Sequence, residues 1–163
     1  MFSVKRTMVA SVVLASLGLA GNAMADDSKV MSGNMCQPYF GSTAGDLQSQ
    51  ADGIYNSNAT SSRWVSCPIA RDNLTNLDGT ARVYVRTRRF DAATTMSCNL
   101  HSRQSDGTFI ESDNAVASGA VLFQSLFLDV NSSASYGFYN IYCLIPPRGR
   151  IHSYRVDEFL PTE

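Results

Sequence analysis

Short runs in which apolar and polar side chains alternate recur along this chain, and they constrain its fold more than any other feature. In the run 81–86 the two valines share one face, and the opposite face carries Arg82, Tyr84 and Arg86. The run 96–101 repeats this period of two, which is typical of a strand with one buried face. Turn residues separate such runs, so the sequence predicts an all-β chain, an antiparallel β-sandwich of either the immunoglobulin-like or the jelly-roll kind.

Four further segments have the composition of strands. Residues 64–69 are predicted to form a strand near a sheet edge, because Pro68 lacks the N–H that a ladder needs. Residues 121–130 and 150–159 are also predicted strands. The run 136–145 is the most apolar after residue 25, and we expect it to be a central strand buried on both faces.

The first 25 residues have the pattern of a cleaved signal peptide. Lys5 and Arg6 precede an apolar run over residues 8–19, and Ala23-Met24-Ala25 offers small residues at the cleavage positions. The apolar run is short for a membrane span, so a retained anchor is the weaker interpretation. We therefore expect an exported protein, periplasmic or extracellular, without a membrane span after cleavage.

The residues after the signal divide into two parts of one expected domain. Residues 26–62 are rich in Ser, Asn, Gly and Gln and are predicted to form a loop-rich N-terminal arm with short extended pieces. Residues 63–163 contain the predicted strands and are expected to form the sandwich core. The length of 26–163 suits a single hydrophobic core.

All four cysteines lie after the signal, at Cys36, Cys67, Cys98 and Cys143. An even number in an exported chain indicates a disulfide framework, and the absence of a CxxC motif or a nearby histidine pair makes a zinc site the weaker interpretation. Four cysteines allow three connectivities. Strand patterning favours Cys98 with Cys143, because both lie on apolar faces, and leaves Cys36 to join the arm to Cys67.

Charge and motifs exclude several functions. Lys29 is the only lysine after the signal, where the other cations are arginines and the net charge is slightly negative, so a nucleic-acid partner is not expected. GxSxG, HExxH and cysteine–histidine signatures are absent, and we predict no catalytic residue and no cofactor. His101, His152, Glu111 and Glu158 are expected at the surface. The polar loop 72–79 has the wrong spacing for a calcium loop, so no metal site is predicted.

Three short motifs carry a resemblance. They are Cys-Gln-Pro at 36–38, Trp-Val-Ser-Cys-Pro-Ile at 64–69 and Tyr-Cys-Leu-Ile-Pro-Pro at 142–147. In this cysteine pattern the chain resembles a group of small exported bacterial proteins. The resemblance implies an exported protein and supplies no activity, ligand or catalytic residue.

The function that the pattern favours is a non-enzymatic binding module for carbohydrate or another cell-envelope polymer. Arg82, Tyr84 and Arg86 form one outward-facing stripe, and we expect Tyr142 and Tyr154 near it. An aromatic ring can stack on a sugar while arginine binds hydroxyl or carboxylate groups. Cross-strand pairing that only stabilises the sheet would produce the same pattern.

Two other functions stay open. One is a structural or adhesive, pilin-like subunit assembled by strand exchange, although residues 26–34 offer only Val30 and Met31 as the apolar residues of a donor strand. The other is a small secreted hydrolase or inhibitor. Its weakness is that the sequence contains no motif for it.

Overall fold

The computed structural model describes residues 27–39, 44–71 and 79–159 of the chain. The predicted signal peptide, residues 1–25, and nearly all of the polar loop 72–79 lie outside these ranges. Two short 3-10 turns, Gly33–Met35 and Ala44–Asp46, are the only helical segments in the described ranges. Neither has the length or apolar character that a membrane crossing requires.

Eleven strands make up the rest of the regular structure in these ranges. They are β1 (Asp27–Ser32), β2 (Gln37–Pro38), β3 (Leu47–Gln50), β4 (Gly53–Asn56), β5 (Arg63–Ile69), β6 (Thr80–Arg88), β7 (Met96–Arg103), β8 (Phe109–Ala117), β9 (Phe123–Val130), β10 (Phe138–Ile145) and β11 (Arg150–Phe159).

The strands form two antiparallel sheets. Sheet 1 has the order β3-β4-β11-β6-β9, with β1 also paired to β11, and sheet 2 has the order β2-β5-β10-β7-β8. From β4 to β11 the chain crosses to the other sheet at every connection except β7 to β8. The eight strands β4 to β11, four in each sheet, therefore form a jelly roll. The structure confirms the predicted β-sandwich and selects the second of its two alternatives.

The N-terminal segment contributes directly to both sheets. One edge of β11 is shared by β4, which pairs with Arg150 and Ile151, and by β1, which pairs with residues 153–158. On the other sheet, β2 pairs with β5. Residues 27–56, where the sequence indicated mainly loop, thus supply four short strands that extend the sandwich at its edges.

One hydrophobic core fills the space between the sheets, and both disulfides belong to it. Cys98 and Cys143 are joined across the neighbouring strands β7 and β10, whereas Cys36 is joined to Cys67 of β5. All four cysteines are buried. The pairing that strand patterning favoured is therefore confirmed, and the second disulfide fastens the N-terminal segment to sheet 2.

Strand β10 differs in part from its prediction. It is central, because β5 and β7 pair with its two sides. Tyr139 and Ile141 on its inner face are buried, but Phe138 on its outer face is 39% exposed. The expectation of burial on both faces was wrong, because none of the segments that the structure describes forms a further layer over the outer face of sheet 2.

Carboxylates of β8 cover the free edge of β9. The side chain of Asp113 accepts a hydrogen bond of 2.8 Å from the backbone N–H of Asp129. Glu111 accepts bonds of the same length from the N–H groups of Asn131 and Ser132. Glu111 therefore satisfies backbone donors that no neighbouring strand pairs, which also protects this edge from pairing with other chains.

Candidate functional site

The five residues predicted to contact a ligand lie in three separate places. Arg82, Tyr84 and Arg86 of β6 are on the outer face of sheet 1, as the alternation predicted. Tyr142 of β10 is on the outer face of sheet 2. Tyr154 of β11 is in the core between the sheets. The two sheets therefore separate Tyr142 from the arginine stripe.

Tyr154 does not reach the outer surface. Its side chain is fully buried, and its hydroxyl donates a hydrogen bond of 2.7 Å to the carbonyl oxygen of Pro68. Burial raises the pKa of Tyr154 to about 12. The register of β11 shifts between Ile151 and Ser153, and this bulge turns Tyr154 inward. The expectation that Tyr154 lies near the arginine stripe was wrong.

Tyr84 is enclosed by its neighbours on the sheet. The guanidinium of Arg155 lies 4.3 Å from the centre of the Tyr84 ring, and the Phe127 ring centre lies 5.2 Å away. Arg82 of the same stripe is engaged as well, since its Nε atom is 3.6 Å from a carboxylate oxygen of Asp129. The other arginine of the stripe, Arg86, forms no ion pair or hydrogen bond through its side chain with any described residue, and it is exposed.

The outer face of sheet 2 carries an aromatic patch, formed by Tyr39, Trp64, His101, Phe109 and Tyr142. Tyr39 and Tyr142 have ring centres 4.7 Å apart, and the rings of Tyr142 and His101 are 4.9 Å apart. The His101 ring meets the edge of Phe109 at 5.8 Å. These residues come from β5, β7, β8 and β10 and from the residue after β2, so the patch crosses the whole sheet.

The aromatic patch borders a shallow depression of about 310 Å³. Its lining consists of aromatic, amide and cationic side chains and holds no carboxylate; the lining residues are Tyr39, Trp64, Asn99, His101, Arg103 and Tyr142. The depression is therefore an open, largely aromatic surface with polar groups at its margin.

Amide groups surround the aromatic patch on the same face. Asn114 donates to the side-chain oxygen of Asn99 at 2.9 Å, and Asn140 donates to the hydroxyl of Ser66 at 2.8 Å. The side-chain oxygen of Asn140 is buried and has no hydrogen-bond partner among the described residues, so the accessible amide of this face is that of Asn99, which lines the depression. Amide and hydroxyl groups placed beside aromatic rings can bind the hydroxyl groups of a neutral sugar.

His101 is held in its neutral form within the aromatic patch. Partial burial, and to a smaller extent the nearby Arg103 guanidinium, lower the pKa of His101 below its ordinary value of 6.5. The Arg103 guanidinium lies 3.4 Å from the Nδ1 atom of His101 and donates to the carbonyl oxygen of Gly107 at 2.7 Å. At neutral pH Arg103 is thus the one charged group among the residues that line the depression, and it is already hydrogen-bonded.

Of the residues in the aromatic patch, Tyr142 alone was predicted from the sequence to contact a ligand. His101 was correctly assigned to the polar face of its strand, but it lies half-buried against Tyr142. Trp64 shares the outer face of β5 with Ser66, which the alternation of that strand already indicated. The missing information was the order of the strands, which alone brings these rings together.

The described ranges contain no cluster of three or more histidine, cysteine or acidic side chains that could hold a metal ion. No protein-family model matches the sequence, and no curated protein does. Three solved structures show what the chain is similar to in shape.

The first is the GH26-CBM35 beta-(1,4)-mannanase of Podospora anserina, with a TM-score of 0.48 and 12% identity over 85% of this chain and 29% of that one. The chain thus spans less than a third of the mannanase. The second is the xylan-binding module CBM15, with a TM-score of 0.48 and 14% identity over 80% of this chain and 97% of that one. The third is the C-terminal CBM6 of LamC, a laminarinase from Zobellia galactanivorans. Its TM-score is 0.48, with 16% identity over 80% of this chain and 99% of that one.

Proposed function

We propose that this chain is a non-enzymatic binding module for carbohydrate, and that the aromatic patch on sheet 2 is the surface on which a neutral sugar chain lies. The observation that carries the proposal is the row of rings formed by Tyr39, Tyr142 and His101, in which neighbouring centres are less than 5 Å apart. The row is long enough to contact more than one sugar ring. Tyr39 is exposed, and Tyr142 and His101 are partly exposed.

The chemistry of the aromatic patch favours a neutral sugar over a charged ligand. The C–H groups on one side of a pyranose ring pack well against an aromatic ring, because both surfaces are apolar. The ring hydroxyls then point sideways, toward polar groups of the depression such as the Asn99 amide. Arg103, the cation among the residues that line the depression, already donates to the carbonyl oxygen of Gly107.

Two further observations support a binding module of an exported protein. The carboxylate of Glu111 accepts hydrogen bonds from two backbone N–H groups of the chain that follows β9, so it is engaged within the fold. The two disulfides fit an oxidising compartment, which supports export through the predicted signal at residues 1–25.

Isothermal titration calorimetry with soluble xylan, mannan and laminarin, preceded by a glycan array, tests the proposal. We expect the wild-type protein to bind at least one neutral glycan, and Tyr142→Ala and Trp64→Ala to weaken that binding at least tenfold, which corresponds to about 1.4 kcal/mol. Phe127→Ala is the matched control. It removes an aromatic ring that is 46% exposed on the opposite face.

Two results would contradict this function. One is an array without neutral-glycan binding, and the other is a loss of affinity in Phe127→Ala as large as that in Tyr142→Ala. Polymers of the wild-type protein on a sizing column, without glycan binding, would favour the structural or adhesive subunit.

A further inference from the structure

The outer face of sheet 1 has two adjoining depressions that meet at Arg86. Their volumes are about 310 Å³ and 540 Å³, and both are lined by Arg86, Ser125 and Ser153. Strand register explains the arrangement, because Ser125 of β9 and Ser153 of β11 are the direct neighbours of Arg86 on either side. Arg86 therefore lies between two serines where the two depressions meet, and the depressions together form one groove.

The arginines of this face differ in whether a carboxylate already binds them. Arg82 lies 3.6 Å from Asp129, and Arg155 donates to Asp157 at 2.9 Å. On the neighbouring strands Arg82 is flanked by two aspartates, whereas Arg86 is flanked by two serines. The side chain of Arg86 forms no ion pair or hydrogen bond within the described ranges. Its exposed guanidinium is thus free to bind an anion.

One end of the groove offers a surface on which a sugar ring can pack. The rings of Phe123 and His152 are nearly parallel, with an interplanar angle of 16° and centres 6.0 Å apart. The guanidinium of Arg88 lies 5.0 Å from the centre of the Phe123 ring. Both rings line the larger depression, so an anion bound at Arg86 would place the attached ring beside apolar surface.

We infer that this groove is a second binding site, distinct from the aromatic patch, and that it takes an acidic polysaccharide with Arg86 bound to the carboxylate of a uronic acid. A planar guanidinium matches a carboxylate with two parallel hydrogen bonds. The serine hydroxyls beside Arg86 suit the hydroxyl groups of the same sugar. A nucleic acid fits less well, because phosphate neutralisation needs a dense basic surface and the aspartates of this face would repel it.

Binding of polygalacturonate at low and at moderate salt tests the inference. We expect the wild-type protein to bind polygalacturonate, and Arg86→Gln to weaken that binding at least tenfold. Arg82→Gln is the matched control, because it makes the same change of charge on the same face of the same strand, at a residue that lines neither depression and is paired with Asp129. We expect Arg82→Gln to change the affinity less than threefold.

The outcomes separate this site from the aromatic patch and from general charge attraction. Tyr142→Ala should leave polygalacturonate binding unchanged even if it abolishes binding of a neutral glycan. Equal losses in Arg82→Gln and Arg86→Gln would overturn the inference, since they would mean that any positive charge on this face serves. The inference would also be overturned if the wild-type protein did not bind polygalacturonate. A third contrary result is that the protein binds heparin at least as tightly as polygalacturonate and that Arg86→Gln does not weaken heparin binding.

Discussion

Cys98 and Cys143 lie directly opposite each other on the neighbouring strands β7 and β10, and their disulfide is fully buried. The bond therefore joins two strands of one sheet and does not bridge the two layers of the sandwich. The backbone ladder of these strands already holds the two residues together in the folded state. The main effect expected of the bond is thus on the unfolded chain, whose freedom it restricts.

Replacing both residues, in Cys98→Ala/Cys143→Ala, should lower the free energy of unfolding by about 4 kcal/mol in the chain-entropy model. The double substitution leaves no free thiol behind. Urea denaturation followed by tryptophan fluorescence measures the change. A loss below about 1 kcal/mol would contradict the prediction that the bond stabilises the fold by restricting the unfolded chain.

Arg89 is fully buried and holds two loops together. Its guanidinium donates to the carbonyl oxygens of Thr94, Gly119 and Val121 at 2.6 Å each. Two weaker bonds reach the carbonyl oxygens of residues 91 and 92. The loop that follows β6 and the loop that precedes β9 thus converge on one side chain.

Arg89→Met should lower the free energy of unfolding by about 3 kcal/mol or more, because several buried carbonyl groups lose a charged donor. Arg88→Met is the control, since the neighbouring guanidinium is exposed and its loss should cost about 0.5 kcal/mol. Chemical denaturation of both variants checks this. Equal effects at the two positions would contradict the structural role of Arg89.

Gly53 occupies a position where a side chain cannot fit. Its φ is +127°, and a Cβ atom there would overlap the carbonyl oxygen of Ile151 at the β11 bulge. Gly107 has a φ of +87° but open space around it. Gly107→Ala should therefore lower the free energy of unfolding by about 1 kcal/mol, through backbone strain alone. Gly53→Ala should lower it by about 3 kcal/mol or more, because the Cβ atom also overlaps the backbone of β11. Melting curves of the two variants measure the difference, and similar melting temperatures would contradict the close approach.

His101 should titrate below pH 6.5, since burial and then Arg103 lower its pKa from that value. Arg103→Gln should raise the pKa of His101 only in part, because the larger cause, burial, remains. Nuclear magnetic resonance titration of the imidazole measures both values. A His101 pKa at or above 6.5 in the wild-type protein would contradict its placement in the aromatic patch.

The same shift predicts how His101 contributes to stability as pH changes. Its pKa is lower in the folded than in the unfolded chain, so the folded state favours the neutral form. The contribution is fully present above the unfolded pKa of about 6.5 and is lost as the pH falls through the folded pKa. We therefore expect the melting temperature to fall less between pH 7.5 and pH 5 in His101→Gln than in the wild-type protein.

Some strands could be predicted from the sequence and others could not. Strands β6, β7 and β11 lie where period-two alternation or apolar content placed them, because one of their faces packs in the core. Strands β1 and β8 are edge strands, and the inward-facing positions of β8 include Asp113 and Glu111. Residues whose partners are backbone groups leave no apolar pattern, so pattern analysis missed both strands.

By itself, the sequence determined the class of fold, the favoured pairing of the four cysteines and the faces on which the residues of β6 and β7 lie. These properties follow from local alternation and from the need to bury apolar side chains. Only the tertiary structure decided the order of the strands, and with it the jelly roll, the aromatic patch and the separation of Tyr142 from Arg86. It also decided the inward turn of Tyr154, because a bulge changes alternation without changing composition. Contacts between strands depend on residues far apart in the chain, and no local pattern carries that information.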